Sequence, residues 1–275
     1  MSAVKKGQRF GEQDSHDDIV HLVQLTDCHL GLDCAFNLAG VNTHDTFSQV
    51  LSEVKKNRSS SFAFVTGDIA CEGAEASYQL FSKMMASTQL NYSWLPGNHD
   101  DFQQMQKTIS QPFVKDKVFG EWVVISLVSS VPGRVNGALS AYELQALSDL
   151  LEKHKNKFVL LFVHHPPVDI QCQWLDEQRI ANSDMLQEVI SGHDKVQAIF
   201  TGHVHQESEE SWFGVPVYTT PSTCFQFTSK SATFSISHQS PGYRWIELYP
   251  NGSIKTGVEH IICNDQNIDR SCIGY

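Results

Sequence analysis

Along the chain, apolar residues gather in short, nearly unbroken runs. Residues 21–26 (HLVQLT), 61–66 (SFAFVT), 92–96 (YSWLP), 158–163 (FVLLFV) and 198–201 (AIFT) are of this kind. Runs of this length without alternation predict strands buried on both faces. Between them the period changes. Phe47, Val50, Leu51 and Val54 recur at i, i+3, i+4 and i+7, one face of a helix. Leu144, Leu147 and Leu151 form a second stripe behind Ser140, with Glu143 three residues on, the spacing of a capping box. In the last quarter, residues 215–220 (VPVYTT), 232–237 (ATFSIS), 243–250 (YRWIELYP) and 253–261 (SIKTGVEHI) are strand-like, and Pro250-Asn251-Gly252 marks a hairpin turn. The order is βαβ first and mostly β afterwards, which predicts an α/β (α+β) domain with two sheets. Residues 1–18 are expected to be a polar, flexible lead-in and 19–275 a single domain. The polar loop 169–182 follows a strand and is expected to border a site.

Charge narrows the function classes. The chain has 275 residues, with Asp+Glu 31 against Lys+Arg 20 and a formal net charge of -11. That balance argues against a long nucleic acid as partner, because phosphates need a basic footprint. The longest purely apolar run, 158–163, falls far short of the roughly 20 residues that cross a membrane. Residues 1–18 lack the apolar segment of a secretory signal. Seven cysteines (Cys28, Cys34, Cys71, Cys172, Cys224, Cys263 and Cys272) form no C-x-x-C pair and read as free thiols in the cytoplasm. The count that stands out is histidine, at 13. Histidine is the commonest metal ligand and an acid or base near neutral pH.

The histidines fall into a pattern. Five predicted strands are followed at once by Asp27-Cys28-His29, Gly67-Asp68, Gly97-Asn98-His99-Asp100, His164-His165-Pro166 and Gly202-His203-Val204-His205. Ligands in α/β folds bind beyond the carboxyl ends of strands, so these segments converge. Singly, D-x-H or G-D is ordinary turn chemistry. His203 and His205, at i and i+2, point the same way from extended chain, as a pincer for metal. Carboxylate, imidazole and amide oxygen without thiolate suit Mn, Fe, Zn, Co or Mg. There are more donors than one open site uses, which favours two ions sharing a carboxylate, the usual apparatus of phosphoester hydrolysis.

This ladder of D-x-H, G-D, G-N-H-D, H-x-P and G-H-x-H resembles the calcineurin-like metallophosphoesterases. Residues 131–140 (VPGRVNGALS), 164–167 (HHPP), 202–207 (GHVHQE), 220–227 (TPSTCFQF) and 241–248 (PGYRWIEL), with the Gly274-Tyr275 ending, are similar to the bacterial class III 3′,5′-cyclic AMP phosphodiesterases. The resemblance implies a four-layer αββα sandwich of two mixed β-sheets flanked by helices. It implies two divalent ions, Fe or Mn before Zn or Mg. Asp27, His29, Asp68 and His205 would hold one, and Asp68, Asn98, His164 and His203 the other, with Asp68 bridging. His164 rather than His165 is the ligand because the family pattern is H-x-P.

The reaction so implied is hydrolysis of 3′,5′-cyclic AMP to 5′-AMP by a hydroxide activated between the ions. His29, Asp68, Asn98, His99 and His205 would meet the substrate phosphate, and His99 would protonate the leaving oxygen. Asp100 either orients His99 or caps the next helix. Arg134, Asn136 and Trp174 are candidates for substrate contact, with Trp174 or Phe227 stacking on the base. Cys28, between Asp27 and His29, is either a redox-sensitive thiol or an inert turn residue. The ladder sets the reaction class but not the leaving group. Other small diesters (2′,3′-cyclic nucleotides, glycerophosphodiesters), a nuclease, and a non-catalytic metal-binding scaffold are therefore the alternatives.

Overall fold

The computed structural model describes residues 19–262 and 268–274. The lead-in of residues 1–18, Cys263 and Tyr275 lie outside the described residues. In chain order the first half comprises β1 (Val20–Leu25), β2 (Asn37–Leu38), β3 (Val41–Asn42), α1 (Thr43–Asn57), β4 (Phe62–Thr66), α2 (Glu75–Thr88), β5 (Tyr92–Leu95), α3 (Phe102–Thr108), β6 (Asp116–Phe119) and β7 (Trp122–Leu127). It continues with α4 (Ala141–Lys153), β8 (Phe158–Val163), α5 (Gln173–Asp176), α6 (Ser183–Ile190), β9 (Val196–Thr201), β10 (Ser208–Trp212), β11 (Val215–Thr219), β12 (Gly242–Leu248) and β13 (Ile254–His260).

The strands form two large mixed sheets, ordered β13-β12-β1-β4-β5 and β10-β11-β9-β8-β7-β6. Strands β1, β4 and β5 run parallel in the first, as do β7, β8 and β9 in the second. Alternating side chains assign each strand's two faces. Leu22 and Phe64 of the first sheet meet Trp122, Val124, Leu160, Phe162 and Phe200 of the second in one buried cluster. Phe64 stacks on Phe162 with ring centroids 4.7 Å apart. The opposite faces take the helices. Val23, Ala63 and Val65 pack with the α1 stripe Phe47, Val50, Leu51 and Val54. Val123, Ile125, Val159 and Leu161 pack with Leu144, Leu147 and Leu151 of α4. The architecture is thus an αββα sandwich. The near-continuous apolar runs follow from it, because both faces of every central strand are covered.

Ser140 caps α4 by accepting from the Glu143 backbone N–H, and the turn after β12 closes through Gly252 at φ 89°. A Cβ at Gly252 would sit 2.4 Å from the Phe158 ring. Two expectations need correction. Residues 232–237 are not a strand: they make one isolated bridge, Phe227 with Ile236, and Phe234 and Ile236 instead pack into a cluster with Phe227 and Trp174. The loop 169–182 is not wholly irregular, since α5 turns within it. Strands β6, β7 and β10 belong to no segment singled out from the sequence. β10 (SEESW) is a polar edge strand, and its pairing to β11 is what defines it. Among the described residues no helix is long and apolar enough to cross a membrane.

Candidate metal centre and its cavity

The ladder residues stand just past the carboxyl ends of β1, β4, β5, β8 and β9. There the chain turns through left-handed backbone at Asp27 (φ 54°), His29 (44°), Asp68 (48°), His203 (67°) and His205 (44°). Such backbone is uncommon for residues with a Cβ, though Asp and His tolerate it better than most. Each instance costs on the order of 1 kcal/mol or more, and surrounding structure must hold it. Cross-chain hydrogen bonds do so here. The Asp27 and His29 N–H groups donate to the carbonyls of Gly67 (3.0 Å) and Asp68 (2.9 Å). The Ser222 hydroxyl donates to the Asp27 carbonyl at 2.8 Å. The His203 N–H donates to the Asp27 carboxylate at 3.0 Å, and the His99 N–H to Asp68 Oδ1 at 2.9 Å. Gly97 and Gly67 permit this crowding: a Cβ on Gly97 would lie 2.1 Å from Asp68 Oδ1, and one on Gly67 2.4 Å from His164 Nδ1.

The result is a buried nest of donors. His29 Nε2 and His205 Nε2 face each other at 3.2 Å, and His205 Nε2 lies 3.4 Å from Asp27 Oδ1. Asp68 Oδ2 lies between the two halves of the nest, 3.8 Å from His29 Nε2 and 3.2 Å from His164 Nε2. The imidazoles are aimed by their other nitrogens. His164 Nδ1 bonds the Thr66 carbonyl at 2.8 Å and His205 Nδ1 the Phe225 carbonyl at 2.8 Å, which turns each Nε2 inward. Ligand atoms of Asp27, His29 and His205, and of Asp27, Asp68 and His164, come within 4.8 Å of one another, as do those of His29, Asp68 and His99.

Burial and neighbouring charge divide the imidazoles of the nest. Burial pushes His29 and His203 well below the ordinary histidine range, which keeps them neutral, the form that ligates metal. Burial opposes charge on His164 too, but the adjacent Asp68 carboxylate outweighs it and lifts that imidazole to about 9. Asp68 itself is held well below the carboxylate range: burial raises it, and His164, His99 and His29 more than compensate. His203 Nε2 and Asn98 Oδ1 are buried with no hydrogen-bond partner. A divalent ion would satisfy both, and the set of carboxylate, imidazole and amide oxygen fits one.

Other sequence candidates fall into place or out of it. His165 borders the nest, with a ligand atom within 4.8 Å of those of His164 and His203, but both its ring nitrogens are engaged: Nδ1 bonds Ser129 Oγ at 2.8 Å and Nε2 the Val135 carbonyl at 2.9 Å, so it fastens the loop that carries Arg134. Asp100 neither orients the His99 ring nor caps α3. Its carboxylate accepts from the N–H groups of Gly97, Ile69 and Ala70 and from the Tyr78 hydroxyl, and burial raises it to about 6. His99 Nδ1 instead bonds the Cys71 carbonyl at 2.9 Å, and Asp101 caps α3. Chain spacing does not separate these roles, because neighbouring carboxylates diverge at a turn. Cys28 is fully buried and burial pushes its thiol well up, which disfavours the reactive thiolate.

A cavity of about 430 Å³ opens over Asp68, Asn98, His99 and His203. Arg134, Trp174, Phe227 and Phe234 line it, together with Leu175 and Gln178 of the loop expected to border a site, Gly274 of the family-like ending, and Ile273, which the sequence does not single out. Asn136 is not among the lining residues, so the structure does not bring it to the cavity. Trp174 packs edge-on against Phe227 at 4.9 Å and Phe234 at 5.3 Å.

Two such sheets with carboxylates and imidazoles gathered at the strand ends place this chain among α/β proteins with a candidate metal centre. The chain belongs to the calcineurin-like phosphoesterase family, whose profile matches residues 20–207. It is 37% identical over 248 residues to a 3′,5′-cyclic adenosine monophosphate phosphodiesterase, CpdA, of Haemophilus influenzae, covering 88% of this chain and 90% of that protein. It is 35% identical over 246 residues to a 3′,5′-cyclic-nucleotide phosphodiesterase of a Nostoc species, covering 88% of this chain and 92% of the relative. Its fold matches a dimetal phosphatase from Danio rerio with a TM-score of 0.61 at 13% identity, covering 86% and 98% of the two chains.

Proposed function

We propose that the protein hydrolyses 3′,5′-cyclic AMP to 5′-AMP in the cytoplasm. The observation that carries this reading is a cavity with a nest of metal donors at its floor and an aromatic wall beside it, in a chain similar along most of its length to cyclic-nucleotide phosphodiesterases. The dimensions suit a mononucleotide, which offers one phosphodiester and one planar base.

Asp27, His29, Asp68 and His205 would hold one divalent ion, and Asp68, Asn98, His164 and His203 a second, with Asp68 shared. Fe or Mn suits this donor set. When bound, the ions supply Lewis acidity toward the phosphoryl group and lower the pKa of water toward neutrality. The chain's own residues do the rest. Asp68 fixes the loop of His99 through its backbone N–H. The Cys71 carbonyl takes Nδ1 of His99, so Nε2 of the protonated ring is the atom that hands a proton to the departing 3′ oxygen. An alkoxide is a poor leaving group, and such proton donation contributes roughly 10²–10⁴-fold. Arg134 meets the phosphate charge from the cavity rim, and Trp174 offers the base a flat apolar face.

The test is a panel of the metal-loaded protein on 3′,5′-cyclic AMP, 3′,5′-cyclic GMP, 2′,3′-cyclic AMP and bis(p-nitrophenyl) phosphate, with products identified. The reading expects 5′-AMP and the highest kcat/KM on 3′,5′-cyclic AMP. Trp174→Ala should raise KM for the cyclic nucleotides several-fold, since stacking on one aromatic ring is worth about 1–3 kcal/mol. A higher kcat/KM on 2′,3′-cyclic AMP would move the assignment to another small diester.

A further inference from the structure

One wall of the cavity comes from a part of the chain remote from the ladder. Ile273 and Gly274 line the same space as Asp68, Asn98 and His99. The segment 268–274 that carries them is seated by two means. The Asp269 N–H donates to the Ala39 carbonyl, in the turn between β2 and β3, at 2.9 Å. Ile268 and Cys272 pack against an apolar cluster that also holds Leu175, Phe227 and Trp174. Seated there, it brings Ile273, a residue 93% exposed, to the cavity, an apolar group left open beside a polar site.

We propose that the segment 268–274 is a specificity wall: it bounds the cleft on one side and limits it to diesters of mononucleotide size, excluding polynucleotide chains. This rests on the reading of the site given above. The argument is steric and electrostatic. Hydrolysis of an internal diester in a polymer needs a groove that carries chain on both sides of the scissile phosphate, with cations along it. Here Ile273 and Gly274 bound the same space as His99 and Asn98, and Arg134 is the one Lys or Arg among the lining residues. A cyclic nucleotide has no chain to accommodate beyond its phosphate, so the wall costs it nothing and gives its base or sugar an apolar contact at Ile273. Discrimination of this kind comes from a clash against the wrong substrate rather than from added affinity for the right one.

The experiment deletes residues 268–275 and compares kcat/KM on single-stranded hexathymidylate and on bis(p-nitrophenyl) phosphate, with metal content and melting temperature as folding controls. The ratio of hexathymidylate to bis(p-nitrophenyl) phosphate should rise at least about tenfold on deletion. Fluorescence anisotropy in EDTA should show labelled hexathymidylate binding the shortened chain more tightly than the full chain. A ratio that moves less than about twofold, with metal and fold retained, overturns the wall. Should the deletion fail to fold, Ile273→Glu keeps the test, because an exposed side chain does not support the core. A carboxylate beside the bound phosphodiester should raise KM for bis(p-nitrophenyl) phosphate about fivefold at low salt, and an unchanged KM overturns the contact. The outcomes separate the two readings. A full chain that cleaves bis(p-nitrophenyl) phosphate but not cyclic AMP refutes the substrate, while the size ratio still judges the wall. Cyclic AMP turnover with an unmoved ratio refutes only the wall.

Discussion

Replacing Gly97 with alanine perturbs the centre without replacing any donor. The new Cβ would sit 2.1 Å from Asp68 Oδ1, 2.4 Å from the Asp68 backbone nitrogen and 2.7 Å from its Cγ. Non-bonded carbon and oxygen need more than 3 Å, so either the carboxylate or the 97–100 turn must move by about 1 Å. The carboxylate cannot swing away cheaply, because Oδ1 accepts from the His99 N–H and Oδ2 lies 3.2 Å from His164 Nε2. Movement of the turn would carry Asn98 and His99 with it. A misplacement of this size costs about 10²-fold in rate. We expect kcat/KM on cyclic AMP to fall at least that far and bound metal, measured by plasma mass spectrometry, to drop below the wild-type content. Gly192→Ala is the control, since a Cβ there meets nothing within 4 Å. A Gly97→Ala enzyme with full metal and wild-type kcat/KM would refute the claim that close backbone approach positions the shared carboxylate.

His99→Ala should keep its metal and lose rate by about 10²–10⁴-fold on cyclic AMP, and lose much less on bis(p-nitrophenyl) phosphate, whose leaving group needs no proton. Asp68→Ala should lose both metal and rate, read by the same mass spectrometry and assay. EDTA should abolish turnover and lower the melting temperature, with Mn or Fe restoring both, because an ion that binds only the folded chain adds about 2.7 kcal/mol per site at a hundred times its Kd. Asp116 gives a pH test away from the centre. Burial would raise this carboxyl, but hydrogen bonds from Lys153 and His154 outweigh it and hold it below the ordinary range. A depressed acid stabilises above its unfolded value, about 3.9, and that contribution is lost as pH falls through the folded value. With solvent screening the pair is worth about 0.5 kcal/mol. Asp116→Asn should therefore melt about 1–2 °C lower at pH 7, and the gap measured by calorimetry should close toward pH 3.

Much of this protein was written locally. The apolar runs of β1, β4, β8 and β9, the stripes of α1 and α4, the Ser140 cap and the hairpin at Gly252 depend on a few adjacent residues, so period and turn chemistry suffice to find them. The ladder residues were legible for the same reason: each follows its own strand directly, and parallel strands bring their ends together. What adjacency leaves open is direction. Two histidines stand side by side at 164 and 165, and only the Thr66 carbonyl, 98 residues away in the chain, turns the first toward Asp68, while Ser129 and Val135 engage both ring nitrogens of the second. Asp100 and Asp101 divide their labour by which backbone N–H groups the fold places before them. The cavity is the extreme case. Its walls come from the 133–135 loop, α5, the 227–234 segment and 268–274, and no periodicity links them. The sequence alone determined which donors reach the strand ends. Only the tertiary structure decided how they point and what encloses them, because hydrogen bonds and packing between distant segments set orientation and shape.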